Sequence, residues 1–370
     1  MNIAFAKPSF SAEARQRILS EVDEILKSGK LIMGDSARRF EAAFSALTTC
    51  EHALSVNSCT TALQISLEHF DVRGHEVLVP AASFITDVSV VRWCGGIPVL
   101  VDIDPETLSF DLDDLRRKIT PRTKGIVWVH LTGFISPDWV EIVKLAKDSG
   151  LFLIEDCAHA HGASVDERPA GSLGDVGCFS FYPTKVLTCG TGGMLVTNND
   201  AIARTARELR MFGRENGTGP VIRDGNDWFL DEIRACLGVE QARELPRFLE
   251  RRRALAGRYR DALSSSPLLR HLNIPAGNLP AWYHYVVFVA DHIDIDKLMD
   301  NLKKNHGIPT KLIYPPIHEE KIFQDLDDGT LNRAAHMLHR SLCLPMHVEL
   351  SDSDVDAVAA AVLQELQKIS

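Results

Sequence analysis

The chain alternates short apolar runs with longer amphipathic ones. Residues 12–27 place apolar side chains at helical spacing, with Ser11 as a cap and Gly29 as a stop. A second helix is predicted near 36–47. The chain then turns β-rich in short bursts. Residues 77–79, 98–101, 125–130 and 151–155 read as strands, and stretches between them, such as 138–149, read as helices. Strands alternating with helices predict an α/β fold, a mostly parallel sheet covered on both faces. Ligands on such sheets bind at the carboxyl ends of strands, where Asp156, Ser180 and His130 fall. One more strand is read at 194–197. A long helical region, 231–263, follows and is expected to break at Pro246. A strand at 285–289 and helices at 295–305 and 353–369 make a smaller second domain. The expected division is 1–243, with an N-terminal helical segment, and 244–370.

Composition narrows the classes. The 370 residues suffice for two domains sharing a large core. No uncharged apolar run reaches membrane-spanning length, and the start lacks a signal-peptide pattern, so a cytoplasmic protein without a membrane partner is expected. Eight cysteines without a CxxC pair suggest reduced, buried thiols rather than disulfides or a zinc site. A net charge of −10 argues against nucleic acid as the main partner. The basic run Arg251-Arg252-Arg253 reads as the solvated face of a helix.

The candidate chemistry centres on Asp156 and Lys185. Asp156 ends an apolar run, and Lys185 follows the aromatic run 178–184. A strand that presents a carboxylate and a loop that presents an amine supply the two groups pyridoxal phosphate uses. The amine forms a Schiff base with the aldehyde, and the carboxylate keeps the pyridine nitrogen protonated. Residues 53–67 read as strand, polar turn and helix, the helix starting near Thr60. Its free N–H groups, dipole and hydroxyls make an anion site. Alone, the segment is better read as an ordinary Ser/Thr cap; beside Ser180 and Lys185, phosphate is the better reading. Neither a Walker loop nor a GxGxxG turn is present, so nucleotide hydrolysis and NAD binding lack support.

Ordered motifs then run along nearly the whole chain. They include Ser28-Gly29 with Gly34, Phe40-Glu41, Ser58-Cys59-Thr60, residues 79–84, 98–104 and 119–124, Val129-His130-Leu131-Thr132-Gly133, residues 155–163, Phe179-Ser180-Phe181-Tyr182-Pro183-Thr184-Lys185, Gly192-Gly193, Tyr314-Pro315-Pro316-Ile317-His318 and Leu344-Pro345-Met346. In these the chain resembles the DegT/DnrJ/EryC1/StrS sugar aminotransferases, pyridoxal-phosphate enzymes of fold type I. The resemblance implies that Lys185 is the Schiff-base lysine and proton shuttle and that Asp156 pairs, ionised, with the pyridinium. It implies that His159 bonds the ring hydroxyl and Phe84 stacks on the ring. Thr60, the Thr61 backbone and Ser180 would hold the phosphate. Tyr314, His318 and Gly34 would lie by the sugar pocket, and His161 would pack structurally.

The chain also departs from that pattern. Asp227 stands where the family usually has an Asn, given by the partner subunit to the phosphate; Asn226, one residue earlier, is the alternative. Phe229 replaces an Arg that often binds the donor carboxylate, with Arg223 or Arg214 as substitutes. Val186 and Thr132 stand where Asn and Tyr are common. The implied reaction moves an amino group from glutamate, through pyridoxamine phosphate, to a keto or aldehyde group of a sugar. That sugar is nucleotide-linked in most relatives and free, phosphorylated or acidic in some. A homodimer with shared sites is implied. The competing readings are a dehydratase, which Lys185 opposes because such relatives carry His there, a regulator, and an anion-binding protein.

Overall fold

The expected punctuation of the first helix holds. Ser11 Oγ accepts from the Ala14 N–H at 3.1 Å, and Gly29 closes the last turn at φ 66°. The computed structural model describes residues 3–369. Helices α1 (Ala12–Ser28) and α2 (Asp35–Thr48) precede β1 (His52–Val56), α3 (Cys59–Phe70), β2 (Glu76–Pro80), α4 (Ile85–Trp93), β3 (Ile97–Val101), α5 (Leu112–Lys118), β4 (Thr123–Val129), α6 (Trp139–Asp148) and β5 (Phe152–Asp156). Short strands β6 (Ser164–Val165) and β7 (Arg168–Pro169) lead to β8 (Val176–Ser180), β9 (Gly193–Thr197), α7 (Asp200–Leu209) and the long α8 (Glu232–Leu263). The remainder holds β10 (Leu269–His271), β11 (Asn278–Leu279), β12 (Tyr285–Val289), α9 (Ile295–His306), α10 (Asn332–His339), β13 (Ser341–Leu344) and α11 (Asp352–Ile369).

Seven strands form the main sheet in the order β1-β9-β8-β5-β4-β2-β3. β9 runs antiparallel to β1 and β8, and the other pairings are parallel. Every residue of β2 and β5 is buried, as a sheet covered on both faces requires. A second sheet, β10-β12-β13, and a third, β11-β6-β7, are antiparallel. The α/β fold read from the alternation is therefore the observed one.

Two local expectations fail. Pro246 does not break α8, which continues through it to Leu263 and carries the chain across the expected 243/244 division. Packing of α8 against α1 and α2 at one end and α11 at the other outweighs the single lost hydrogen bond. The run 251–253 is not wholly solvated: Arg252 is buried, donating to the carbonyls of Trp282 at 2.8 Å and Met346 at 3.2 Å. Helix α4 arises in a β-branched stretch whose composition favours a strand. All eight cysteines are free and buried. Among the described residues no helix is long and apolar enough to cross a membrane.

Candidate active site

The carboxyl ends of the parallel strands open on a cavity of about 470 Å³. β5 delivers Asp156 to it, and β8 delivers Ser180. A turn closed by the Lys185 N–H on the Tyr182 carbonyl at 3.0 Å brings in Lys185. Thr60, in the first turn of α3, and Phe84, at the start of α4, line the same space. The opposite wall comes from the chain's last third, as Tyr283, Lys311 and Tyr314. β9 can lie against the α3 terminus because residue 193 is glycine; a Cβ there would stand 2.3 Å from the Ser58 carbonyl carbon.

One end of the cavity is built from hydroxyls and backbone. Ser58 caps α3, its Oγ accepting from the Thr61 N–H at 3.0 Å, and its carbonyl accepts from Ala62 N–H. Thr61 Oγ1 donates to Asn57 Oδ1 at 2.6 Å. Thr61 thus serves the cap, and the first turn's open donors are the N–H groups of Cys59 and Thr60. With the Thr60 and Ser180 hydroxyls they line this end of the cavity with neutral donors, a set that suits an anion.

The other end carries the charge. Asp156 is buried; one oxygen accepts from the Ala158 N–H at 2.8 Å, and the Cys59 thiol lies 3.8 Å from it. Asp87, buried on α4, accepts from Ser83 Oγ and faces Asp156. Burial raises both carboxyls, Asp87 the further of the two because Asp156 adds repulsion. The Ala158 N–H and the Lys185 ammonium pull Asp156 back. Of the two, Asp87 is the one its surroundings hold more strongly toward the neutral form. Burial lowers Lys185 to about 8, with Asp156 opposing. Its Nζ lies 4.6 Å over the Tyr283 ring.

His159 is positioned by its surroundings. Its Nδ1 accepts from the Thr132 N–H at 3.3 Å, which fixes the tautomer so that Nε2–H donates to Tyr314 Oη at 2.9 Å. Burial first, then Lys185, hold the imidazole well below its ordinary pKa, hence neutral. The Tyr283 ring stacks on it at 4.1 Å, and the Tyr283 hydroxyl meets Thr184 Oγ1 at 2.8 Å. The loop beneath is tight. Thr132 has φ 62°, and a Cβ on Gly133 would lie 2.6 Å from the His159 carbonyl oxygen.

Seven of the residues singled out from sequence meet at this cavity: Lys185, Asp156, His159, Ser180, Thr60, Phe84 and Tyr314. Others lie elsewhere in the chain. Gly34 caps α2, where its N–H, with those of Ser36 and Ala37, donates to the buried Glu232 carboxylate at 2.7 to 3.1 Å. His318 is buried outside the lining. Asn226 and Asp227 sit in a segment laid along Asn57 and Val56; the Asn57 N–H donates to the Trp228 carbonyl. His130 is fully buried against Glu155 at 2.8 Å. His161 packs among Phe44, Phe179 and Phe181 and is held by burial at about 3. Val186 is core. Tyr283 and Lys311 were not read from the sequence; they lack a local pattern and reach the site only through the fold.

The chain is similar to known proteins along nearly its whole length. Residues 12–363 match the DegT/DnrJ/EryC1/StrS aminotransferase family. The chain is 35% identical over 356 residues, 94% of each chain, to a dTDP-3-amino-3,4,6-trideoxy-alpha-D-glucose transaminase of Micromonospora megalomicea subsp. nigra. It is 33% identical over 362 residues, 93% of each, to the spore coat polysaccharide biosynthesis protein SpsC of Bacillus subtilis (strain 168). The crystal structure of the aminotransferase TlmJ from Streptoalloteichus hindustanus superimposes with a TM-score of 0.92 at 34% identity, covering all of both chains. The chain, with its cavity at the carboxyl ends of the sheet, therefore belongs to the DegT/DnrJ/EryC1/StrS aminotransferase family.

Proposed function

We propose that the protein is a pyridoxal-phosphate-dependent aminotransferase that moves an amino group from glutamate to a keto sugar, the sugar being nucleotide-linked, in amino-sugar biosynthesis. The observation that carries this reading is the meeting of Lys185 and Asp156 at one cavity whose far end is an anion cradle. The residues fit the cofactor. Thr60, Ser180 and the first-turn N–H groups of α3 suit a phosphate. Phe84, 44% exposed at the cavity, offers a ring face. Asp156 offers a buried charge for a protonated ring nitrogen, and His159 a fixed neutral N–H donor. When bound, pyridoxal phosphate supplies an aldehyde that condenses with amines and a ring that takes up an electron pair.

The chain's own residues do the rest. Lys185, at about 8, presents a useful fraction of neutral amine near physiological pH. Its Nζ accepts the proton from the substrate's reacting carbon and returns one later in the cycle. Asp87 keeps its proton, so Asp156 carries the pair's negative charge toward the ring nitrogen. Tyr283 and Tyr314 hold His159 in place from either side. The nucleotide-sugar assignment follows the Micromonospora relative, named for a dTDP-linked amino sugar. A cytoplasmic homodimer belongs to the same reading. Phe212, Val221 and Ile222 are exposed around the 226–229 segment, as a surface that meets a second copy would be.

The direct test is spectroscopic. Protein incubated with pyridoxal phosphate should turn yellow, and borohydride should fix the colour covalently on Lys185. Lys185→Ala should lose the colour on dialysis, whereas a variant that stays yellow rules out the lysine assignment. The pyridoxamine-phosphate form, screened against keto sugars for return of the absorbance, identifies the acceptor.

A further inference from the structure

Among the described residues Lys311 has no carboxylate partner, and it stands at the edge of the cavity. It lines the cavity with Lys185 and Tyr314, and its backbone carbonyl is pinned by the Cys343 N–H at 2.8 Å. The ammonium lies 5.0 Å over the Phe5 ring. Among the described residues no carboxylate reaches ion-pair distance of it, and neither Asp156 nor Asp87 acts on it. Its charge instead falls on Lys185, His159 and His284, all of which it disfavours in their protonated forms. A half-buried ammonium facing a second ammonium and two neutral imidazoles is costly unless an anion arrives with the substrate.

Position selects the kind of anion. The phosphate cradle at Thr60 and Ser180 already serves one. Lys311 stands within electrostatic reach of Lys185, whose amine must touch the reacting carbon. A carboxylate beside that carbon falls within its range. The two arginines considered from sequence are engaged elsewhere. Arg223 pairs with Glu208 at 3.0 Å, and Arg214 donates to the Gly219 carbonyl at 3.2 Å. We propose that Lys311 is the carboxylate-recognition residue of this site, holding a carboxylate carried next to the carbon on which Lys185 acts. The proposal rests on the aminotransferase reading for its reacting carbon. The carboxylate belongs either to an amino-acid donor or to an acidic sugar acceptor.

Calorimetric titration of the pyridoxal-phosphate-loaded protein with glutarate, which cannot react, tests the anion site. Lys311→Gln should weaken binding about ten- to a hundredfold, the range of a hydrogen bond between charged groups, and Lys311→Arg should restore most of it. Single-turnover reactions then distinguish the sources. A donor carboxylate raises the half-saturating concentration of L-glutamate in Lys311→Gln and leaves that of a neutral keto sugar, offered to the pyridoxamine form, where it was, whatever the change in maximal rate through Lys185. An acidic acceptor shifts a keto-sugar acid and leaves glutamate unchanged. If glutarate, glutamate and the sugar acid all behave as in the wild type, the proposal is overturned. If instead the wild type takes up no cofactor and borohydride labels no lysine, the aminotransferase reading fails. A glutarate affinity lost in Lys311→Gln would then still establish the anion site.

Discussion

Glu155 and Asp156 are neighbours on one strand, both buried carboxylates, with opposite fates. Successive side chains of a strand point to opposite faces. Glu155 turns to the side where His130 meets it at 2.8 Å and three backbone N–H groups, from Gly171, Leu173 and Gly174, donate to it at 2.7 to 2.9 Å. Its oxygens are saturated, and they knit the loop before β8 to β5. Asp156 turns to the cavity, takes one backbone N–H, and shares its surroundings with Asp87 and Lys185. A saturated buried acid is structural. An acid left short of donors, with an amine opposite, has chemistry to perform.

Substitutions can break this contrast. Glu155→Ala should give the largest effect, a loss of about 3–5 kcal/mol of stability in chemical denaturation, because four donors lose their acceptor together. The fraction that remains folded should keep its cofactor absorbance. Asp156→Asn should do the reverse. Its turnover should fall about 10²–10³-fold in a steady-state assay with an identified keto sugar, while its denaturation midpoint stays near the wild type's. A destabilised Asp156→Asn with near-normal turnover would erase the distinction.

Lys185→Met should stabilise the cofactor-free protein by roughly 2 kcal/mol at pH 7, since a buried ammonium is removed. The sign with pH follows from the lowered value. Below about 8 both folded and unfolded chains hold the proton, and the folded chain bears the full cost. Between about 8 and the ordinary 10.5 the unfolded chain still holds a proton that the folded chain has released, so wild-type stability recovers. Met's advantage, read from denaturation curves at pH 7 and pH 10, should shrink as pH rises. Asp87→Asn should have the smallest effect, a turnover change under about tenfold, because an amide replaces a carboxyl that already holds a proton. A larger loss would show that Asp87 gives up its proton during turnover.

The residues legible in the sequence are those set by their immediate neighbours. Asp156 and Ser180 end apolar runs that can only be interior strands, and Lys185 follows one closely. His159 comes three residues after Asp156 in the same turn. What escaped was decided at a distance. Tyr283 stacks on a ring 124 positions earlier in the chain, and Lys311 reaches the cavity beside Lys185 only through the fold. Neither has a periodicity to betray it. Pro246 and Arg252 misled because rules for isolated helices ignore what packs on α8. Gly34 kept its motif place but serves the α2 terminus through Glu232, a partner 198 residues away.

Helix α8 has a mechanical corollary. At 32 residues it is a rod about 48 Å long, gripping α2 near one end and α11 toward the other. About two-thirds of the way along, Arg252 clasps the carbonyl of Trp282, the residue before Tyr283. The backbone beside the ring beneath the lysine is therefore tied to α8. Loss of the Arg252 guanidinium would release the backbone next to that ring from its tie to α8.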